Sequence, residues 1–266
     1  MTNDRDRTAG LEAAAVSLLA GKRAVVTGGA NGIGAGIVRV LAAAGAAPGV
    51  VLDLPATLGR RPLPEGWVGI PVDLRSDEST AAAFEEVRGT LGTIDVLAAA
   101  AGIVPLWTGI DELEVAEWDD IFRVNARGVM RSMQGVLSAL ADDGAIVVIA
   151  SQNAWRGNAN LASYVASKHA VLGLVRSAAL EFGPRGIRIN AVAPGSVATD
   201  AYMARLKHRE DEGGPPVAEA LDRDGKTTAL GRLATIEEVA KAVLFLASDL
   251  SSGVTGHLLP VGPGGV

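Results

Sequence analysis

Ala24-Val25-Val26-Thr27-Gly28-Gly29-Ala30-Asn31-Gly32-Ile33-Gly34 is the stretch that decides the fold. A short apolar run of strand length enters a glycine-rich turn, and a helical pattern follows from Ile33 to Ala44. Gly28, Gly32 and Gly34 permit a tight turn and let the backbone come close to a ligand. The free N–H groups and the dipole at the start of a helix attract anions, and here Asn31 and Ile33 frame that start. A glycine-rich turn alone says little. Between a strand and a helix, with Asp53 nineteen residues past Gly34, it reads as the pyrophosphate end of a dinucleotide site.

Outward from this turn, strand-like and helix-like segments alternate. Apolar runs of strand length occur at Ala24–Thr27, Val50–Asp53, Val68–Val72, Ile94–Ala98, Ile146–Ala150, Arg188–Ala193 and Leu258–Val261. Helical patterns fall at Ile33–Ala44, Ser76–Arg88, Trp118–Leu140, Ser163–Phe182 and Ile236–Leu246. In the fourth of these, Val165, His169, Leu172, Val175 and Ala179 recur at three- and four-residue steps, which predicts the buried stripe. Short apolar strands between amphipathic helices predict βαβ units. The expected fold is α/β, a doubly wound Rossmann-type domain with a seven-stranded, mostly parallel sheet and helices on both faces. One catalytic domain is expected over 21–266, after an N-terminal arm over 1–20. Asp95 precedes a strand run and reads as a structural cap.

Residues 201–230 stand apart, charged and rich in glycine and proline around Lys207-His208-Arg209-Glu210-Asp211-Glu212-Gly213-Gly214-Pro215-Pro216. The segment reads as a long irregular insertion after a strand's carboxyl end, where open α/β sheets bind ligands. A mobile substrate lid is the expectation, with a passive surface loop as the alternative.

Composition removes several function classes. The 266 residues carry a net charge of −6 and no dense basic run, which argues against a nucleic-acid partner. Cysteine is absent, so disulfides and thiol chemistry are excluded. His169, His208 and His257 are far apart and lack ligand spacing, so no metal is expected. The apolar stretch Leu11–Ala20 follows Asp4, Arg5, Asp6 and Arg7 and reads as an ordinary arm rather than a signal peptide. No run of eighteen apolar residues exists to span a membrane, and a cytoplasmic location is the default.

Asp53 ends the second strand run, where a carboxylate accepts hydrogen bonds from the hydroxyls of an adenosine ribose. The same charge repels a 2′-phosphate, so NAD is expected over NADP; capping of the next segment is the alternative role. Arg60 and Arg61 follow a few residues later. Asp73, with Leu74 beside it, ends the third run and is placed to meet the adenine amino group.

Tyr164 and Lys168 lie four apart in Ser163-Tyr164-Val165-Ala166-Ser167-Lys168, thirteen residues past Ser151. On a helix this spacing sets an ammonium beside a phenol. A phenol titrates near ~10, so one acting as a base at neutral pH is shifted by roughly 3 units, about 4 kcal/mol. A neighbouring cation favours the phenolate and is expected to supply much of that shift.

Taken together, these motifs resemble the short-chain dehydrogenase/reductase family in its compact single-domain branch, over residues 21 to about 261. Thr27-Gly28-x-x-x-Gly32-x-Gly34 matches the family's cofactor turn, and Asn125 matches its helical asparagine. Ser151 and Tyr164-x-x-x-Lys168 follow at the family's distances. Pro194, Gly195, Val197 and Thr199 lie in a segment similar to the one that wraps the nicotinamide. The resemblance implies a tetrad of Asn125, Ser151, Tyr164 and Lys168. In it Ser151 donates to the substrate oxygen, Tyr164 is general acid or base, Lys168 also holds the nicotinamide ribose, and Asn125 holds a water leading to solvent. It also implies a homotetramer built on the helices around Trp118–Leu140 and Ser163–Phe182.

Two departures stand out. The family's Asn-Asn-Ala-Gly is here Ala99-Ala100-Ala101-Gly102, with Ala99 and Gly102 kept as cofactor contacts and the lost amides expected to weaken the central sheet. Its Asp-Gly-Gly is here Gly262-Pro263-Gly264-Gly265, which bears on assembly. The expected activity is hydride transfer between NAD and a secondary alcohol or ketone, small or cyclic. The alternatives are a 3-oxoacyl-thioester reductase and, from another class, a catalytically silent cofactor-binding regulator. Candidate substrate contacts are Ser151, Asn153, Trp155, Tyr164, Trp107 and Tyr202, with Gln152 and Met203 nearby.

Overall fold

A computed structural model of the chain describes residues 18–262. Most of the expected N-terminal arm, and the residues from Pro263 on, lie outside the described residues. Seven strands form one sheet in the order β3-β2-β1-β4-β5-β6-β7. They are β1 Ala24–Thr27, β2 Gly49–Asp53, β3 Trp67–Pro71, β4 Ile94–Ala99, β5 Leu140–Ile149, β6 Arg188–Pro194 and β7 Leu258–Val261. Every pairing is parallel, which sharpens the mostly parallel expectation.

The helices are α1 Gly32–Ala43, α2 Asp77–Leu91, α3 Val115–Phe122, α4 Gly128–Leu137, α5 Ala162–Phe182, α6 Asp200–Asp211, α7 Val217–Lys226 and α8 Ile236–Ala247. Two apolar cores sit on opposite faces of the sheet. One takes Phe84 and Val87 from α2, Met133 and Val136 from α4, and Val171 and Val175 from α5. The other takes Ile37 and Leu41 from α1 and Val239 and Val243 from α8. Val25 belongs to the first core and Val26 to the second, and both are fully buried. Alternate side chains of a strand point to opposite faces, so a sheet covered on both sides demands such continuous apolar runs.

Four local expectations are corrected. The pattern over Trp118–Leu140 is not one helix ending in Leu140: a π-helical turn at Arg123–Arg127 joins α3 to α4. Leu140 instead opens β5, in register with Ile94. Residues 201–230 are not irregular, since α6 and α7 occupy most of the segment. Thr199 caps α6, its hydroxyl accepting from the Tyr202 N–H at 3.2 Å.

The buried stripe of α5 runs through Tyr164, Ser167, Lys168, Val171, Leu172 and Val175. His169 is exposed and Val165 half-buried, because at its N-terminal end this helix buries polar groups against the carboxyl ends of the strands. Finally, Asp95 lies within β4 rather than before it. Its carboxylate accepts from the Arg23 backbone N–H at 2.9 Å and from Arg23 Nε at 2.8 Å. Burial acts to raise its pKa, and Arg23 overcomes this and holds it low. No helix among the described residues is long and apolar enough to cross a membrane.

Candidate active site

The chain reverses direction across the sheet between β1 and β4, and a crevice opens there at the strands' carboxyl ends. Gly28 takes φ +66°, and a Cβ on it would lie 2.6 Å from the Ala101 Cα. At Gly34 a Cβ would lie 1.9 Å from the Gly28 carbonyl oxygen. Neither position tolerates a side chain without backbone movement. Gly32 differs: a Cβ there would meet only the Thr199 side chain, at 3.7 Å, so space remains between the turn and the loop after β6. At the start of α1, Asn31 makes no side-chain cap bond and the first turn holds no acid. That end of the helix is therefore left for an anion.

The segment in which Ala99 and Ala100 replace the family's asparagines remains tied to the first strand. Ala100 N–H donates to the Thr27 carbonyl at 3.1 Å, and Ala101 N–H to the Thr27 hydroxyl at 3.3 Å.

Asp53 lies beside the turn. Its Oδ2 accepts from Ala30 N–H at 2.9 Å, while Oδ1 accepts from Leu54 N–H at 2.8 Å and from the Thr57 hydroxyl at 2.6 Å. Asp53 thus caps the following segment, the alternative role expected of it, and is tied to the glycine turn as well. Asp73 accepts from Arg75 N–H at 3.0 Å and lies 3.8 Å from the Arg75 guanidinium. The Leu74 side chain is buried in the first core, against Gly128, so any cofactor contact from it falls to its backbone. Ile33 packs partly buried on the second core.

The tetrad assembles where β5 ends. Ser151 follows the strand and starts a short 3₁₀ turn, its hydroxyl accepting from Asn153 N–H at 3.2 Å. That hydroxyl also lies close enough to the Tyr164 phenol to lower its pKa. Lys168 is buried, donates to the Ile149 carbonyl at 2.9 Å, and sits 5.7 Å from the Tyr164 ring centroid. Gly102 closes the group, since a Cβ there would come within 3.2 Å of Asn125 Oδ1 and 3.6 Å of Lys168 Nζ.

Asn125 is fully buried within the π turn. Its Oδ1 accepts from Ile103 N–H at 2.8 Å, and its Nδ2 donates to the Ile103 carbonyl at 2.8 Å and to the Ser167 hydroxyl at 3.3 Å. Both amide protons are spent, so a water held here would use the spare Oδ1 lone pair or the backbone carbonyl.

The charges follow burial more than pairing. Burial pushes the Tyr164 phenol above its ordinary value, while the Ser151 hydrogen bond and the Arg205 charge pull it back. The downward pull expected of Lys168 thus comes from Ser151 and Arg205, and the lysine lies over the ring rather than beside the hydroxyl. Burial also lowers the Lys168 ammonium from 10.5 to about 8.

The remaining candidates form a wall. Pro194 ends β6, Gly195 N–H donates to Val261 at 3.0 Å, and Val197 bridges to Ala234. The Gln152 amide wedges between Gly195 and Gly262, since Cβ atoms there would lie 2.5 and 2.7 Å from its Nε2. Trp155 is partly exposed, with Arg156 over its ring at 5.6 Å. Trp107 carries the Arg205 guanidinium 4.0 Å from its ring centroid and that of Arg209 at 5.3 Å. The Tyr202 hydroxyl bonds Asp224, and burial with that carboxylate pushes its pKa up to about 12.

Arg205, Arg209 and Asp224 were not expected here. Tyr202, Arg205 and Arg209 stand at i, i+3 and i+7 of α6, a spacing legible only once the segment is read as a helix.

Comparison with known proteins agrees with this geometry. Residues 28–265 match the family model described as enoyl-(acyl carrier protein) reductase. The (+)-cis,trans-nepetalactol synthase NEPS2 of Nepeta racemosa is 37% identical, covering 92% of this chain and 94% of that protein. The cis-4-hydroxycyclohexanecarboxylate dehydrogenase of Sinomonas cyclohexanicum is 38% identical, over 91% and 95%. The ligand-free aldohexose dehydrogenase of Thermoplasma acidophilum superposes with a TM-score of 0.82 at 30% identity, over 94% and 96%.

Burying Lys168 has a thermodynamic consequence. Unfolded, the lysine stays charged up to 10.5, whereas folded it loses its proton at about 8. Between those values the unfolded state binds more protons, so this group's contribution to stability rises with pH through that window and its penalty is full below pH 8. We predict that Lys168→Met stabilises the fold at pH 7 by on the order of 1–3 kcal/mol, the lost Ile149 hydrogen bond offsetting part of the gain. Urea denaturation at pH 7 and pH 10.5 measures it, and a stability difference independent of pH would contradict the burial argument.

Proposed function

The chain belongs to the short-chain dehydrogenase/reductase family of oxidoreductases, and from that premise we propose an NAD-linked enzyme acting on a secondary alcohol or ketone, with Tyr164 transferring the proton. The observation that carries this reading is the gathering of Ser151 and Tyr164 with the buried Lys168, whose ammonium lies 5.7 Å from the phenol ring centroid and is held by the Ile149 carbonyl at the end of β5.

The crevice fits a dinucleotide on three counts: the uncapped start of α1, the space beside Gly32, and the carboxylate at Asp53. Asn31, Ile33 and Gly34 would face the pyrophosphate through the helix start. Asp53 would take the adenosine ribose. Asp73 and Leu74 would border the adenine, and Ala99 and Gly102 the middle of the cofactor. Pro194, Gly195, Val197 and Thr199 would enclose its nicotinamide half. A bound nicotinamide supplies the hydride acceptor or donor.

The protein's part is to hold the oxygen and move its proton. Ser151 donates a hydrogen bond to the substrate oxygen and stabilises the charge that builds there. Tyr164 takes the alcohol proton in oxidation and returns it in reduction. Lys168, poised near neutrality by burial, favours the phenolate when charged. Asn125 fixes Ile103 and, through Ser167, the first turns of α5. It thereby sets where Lys168 stands against Gly102.

A cyclic substrate is supported by relatives whose names specify a hydroxycyclohexane acid and an aldohexose. The α6–α7 segment would close over this substrate as its lid. Asp53 supports NAD, since a carboxylate fixed to the turn repels a 2′-phosphate. Arg39 and Arg61, which border a hollow of about 170 Å³ beside Gly29 and Ala30, are the groups that would soften that repulsion. Self-association as a tetramer is supported by a groove of about 580 Å³ between α3–α4 and α5, where Phe122, Met130 and Leu174 line the wall. Trp118 is 37% exposed and Leu180 84% exposed on the same helices.

Three measurements test these points. Tyr164→Phe lowers kcat/KM by on the order of 10²–10⁴-fold and leaves NADH binding, read by fluorescence, nearly intact. Turnover within a few-fold of wild type would remove the acid/base role. With a cyclic secondary alcohol, kcat/KM is higher for NAD+ than for NADP+, and the reverse order would sink the Asp53 argument. Sedimentation gives a particle of four chains, whereas a species near 27.1 kDa would refute the assembly.

A further inference from the structure

We propose that the substrate carries a carboxylate and that Arg205 recognises it. This deepens the oxidoreductase reading and rests on it for the reacting end of the molecule. Arg205 Nε and Nη2 are sealed from solvent, and neither has a hydrogen-bond partner. They share the edge of the guanidinium on which two N–H vectors run parallel, the geometry that takes a carboxylate in a bidentate pair. Guanidinium cannot shed its charge to relieve this burial. A desolvated cation with two idle donors is costly unless something arrives to pair with it.

Among the described residues no such partner is present. Ion pairs of α6 and α7 join Lys207 to Glu210 and Asp211, His208 to Glu212, Lys226 to Asp222 and Arg223 to Asp224, and none includes Arg205. Asp224, the acid nearest in role, is taken by the Tyr202 hydroxyl.

The position of this edge is fixed rather than incidental. The guanidinium stacks on Trp107 at 4.0 Å, which holds its plane and leaves the edge donors free. It is close enough to Tyr164 and Tyr202 for its charge to lower the pKa of both phenols. Arg209, 5.3 Å from the same indole, adds a second cation to this roof.

A molecule that satisfies all of these groups has its hydroxyl or carbonyl at Ser151 and Tyr164. Its apolar body lies along Trp107, and a carboxylate at the far end meets Arg205. The carboxylate takes no part in the redox step. It orients the ring and neutralises the guanidinium, so the substrate class is a hydroxy or oxo acid whose two functional groups are separated by a compact apolar frame.

The test compares 3- and 4-hydroxycyclohexanecarboxylate with their methyl esters, in the wild-type protein and in Arg205→Gln and Arg205→Lys. We expect the wild-type kcat/KM for a favoured acid to exceed that for its ester by about 100-fold, the usual scale for a desolvated charge pair. In Arg205→Gln that ratio falls towards one, and Arg205→Lys restores part of it. The ratio is the proper readout because Arg205 also acts on Tyr164, which alters turnover of acid and ester together.

Binding of cyclohexanecarboxylate with NAD+ present, read by calorimetry, gives a measure independent of turnover: it is expected in the wild type and lost in Arg205→Gln. Turnover of acids and esters with equal efficiency, or an acid preference that survives in Arg205→Gln, overturns the proposal and leaves the oxidoreductase reading intact. Absence of turnover on every alcohol and ketone, with Arg205-dependent binding preserved, overturns the oxidoreductase reading and leaves the anion site standing. If Arg205→Gln does not fold, the wild-type acid-to-ester ratio and Arg205→Lys still decide the matter.

Discussion

Gly28 passes Ala101 so closely that a single methyl group would lie 2.6 Å from its Cα. The crevice depends on this contact. It locks the turn after β1 to the segment after β4, at the point where the order of strands reverses. With Gly34 folded under the Gly28 carbonyl, α1 starts with its N–H groups directed into the crevice. With Ala100 and Ala101 held by Thr27, the chain then runs on to Gly102 and Ile103, and so to the Asn125 clamp and Lys168. Cofactor turn and proton-transfer group are thereby coupled through backbone, with few side chains between them. That coupling explains how Ala99 and Ala100 can stand where the family has asparagines: the segment is tied to Thr27 by the main-chain N–H groups of Ala100 and Ala101, which do not depend on the side chain.

Burial governs the chemistry of the other half. Tyr164 and Lys168 stand together at the end of a sheet whose strands are covered on both faces, and both resist the charged form there. A phenol raised by desolvation and an ammonium lowered to about 8 move apart in proton affinity, so the phenol keeps its proton at a pH where the amine begins to give its own up. The same arrangement opposes folding, since the fold sets a lysine among Ile149, Gly102 and an aromatic ring. Local structure that weakens the native state concentrates where the reaction needs it.

The alternation of strands and helices was legible because a parallel sheet covered on both sides must be written as short unbroken apolar runs, as in Ala24–Thr27 and Ile146–Ile149. Boundaries were less so. Leu140 suits the end of an amphipathic helix as well as the first position of a strand, and only its register with Ile94 decides between them. The stripe of α5 was misread at Val165 and His169 because apolarity was taken to mark the inner face. That rule fails where the inner face is an active site lined by Tyr164, Ser167 and Lys168. The pairing of Tyr164 with Lys168 on one helix face was legible from spacing, yet the direction of the Tyr164 pKa shift was not, since desolvation depends on neighbours brought in from distant segments.

Arg205 was hidden for a related reason. Residues 201–230 are charged and punctuated by glycine and proline, and such composition suggests an irregular loop. Yet Thr199 caps a helix, and the glycines and prolines from Gly213 to Pro216 merely separate α6 from α7. Once that is known, the charges divide by side. Lys207 pairs with Glu210 and Asp211, and His208 with Glu212, where they are exposed, whereas Arg205 and Arg209 lie against Trp107 with Tyr202 on the same helix face. A helix whose outer charges are mutually neutralised and whose inner charges are not carries a net cation towards the substrate space. Closing such a helix over an empty site costs the desolvation of Arg205. Closing it over an anion returns that cost as a paired hydrogen bond, so the charge pattern of α6 by itself couples closure to the kind of molecule enclosed.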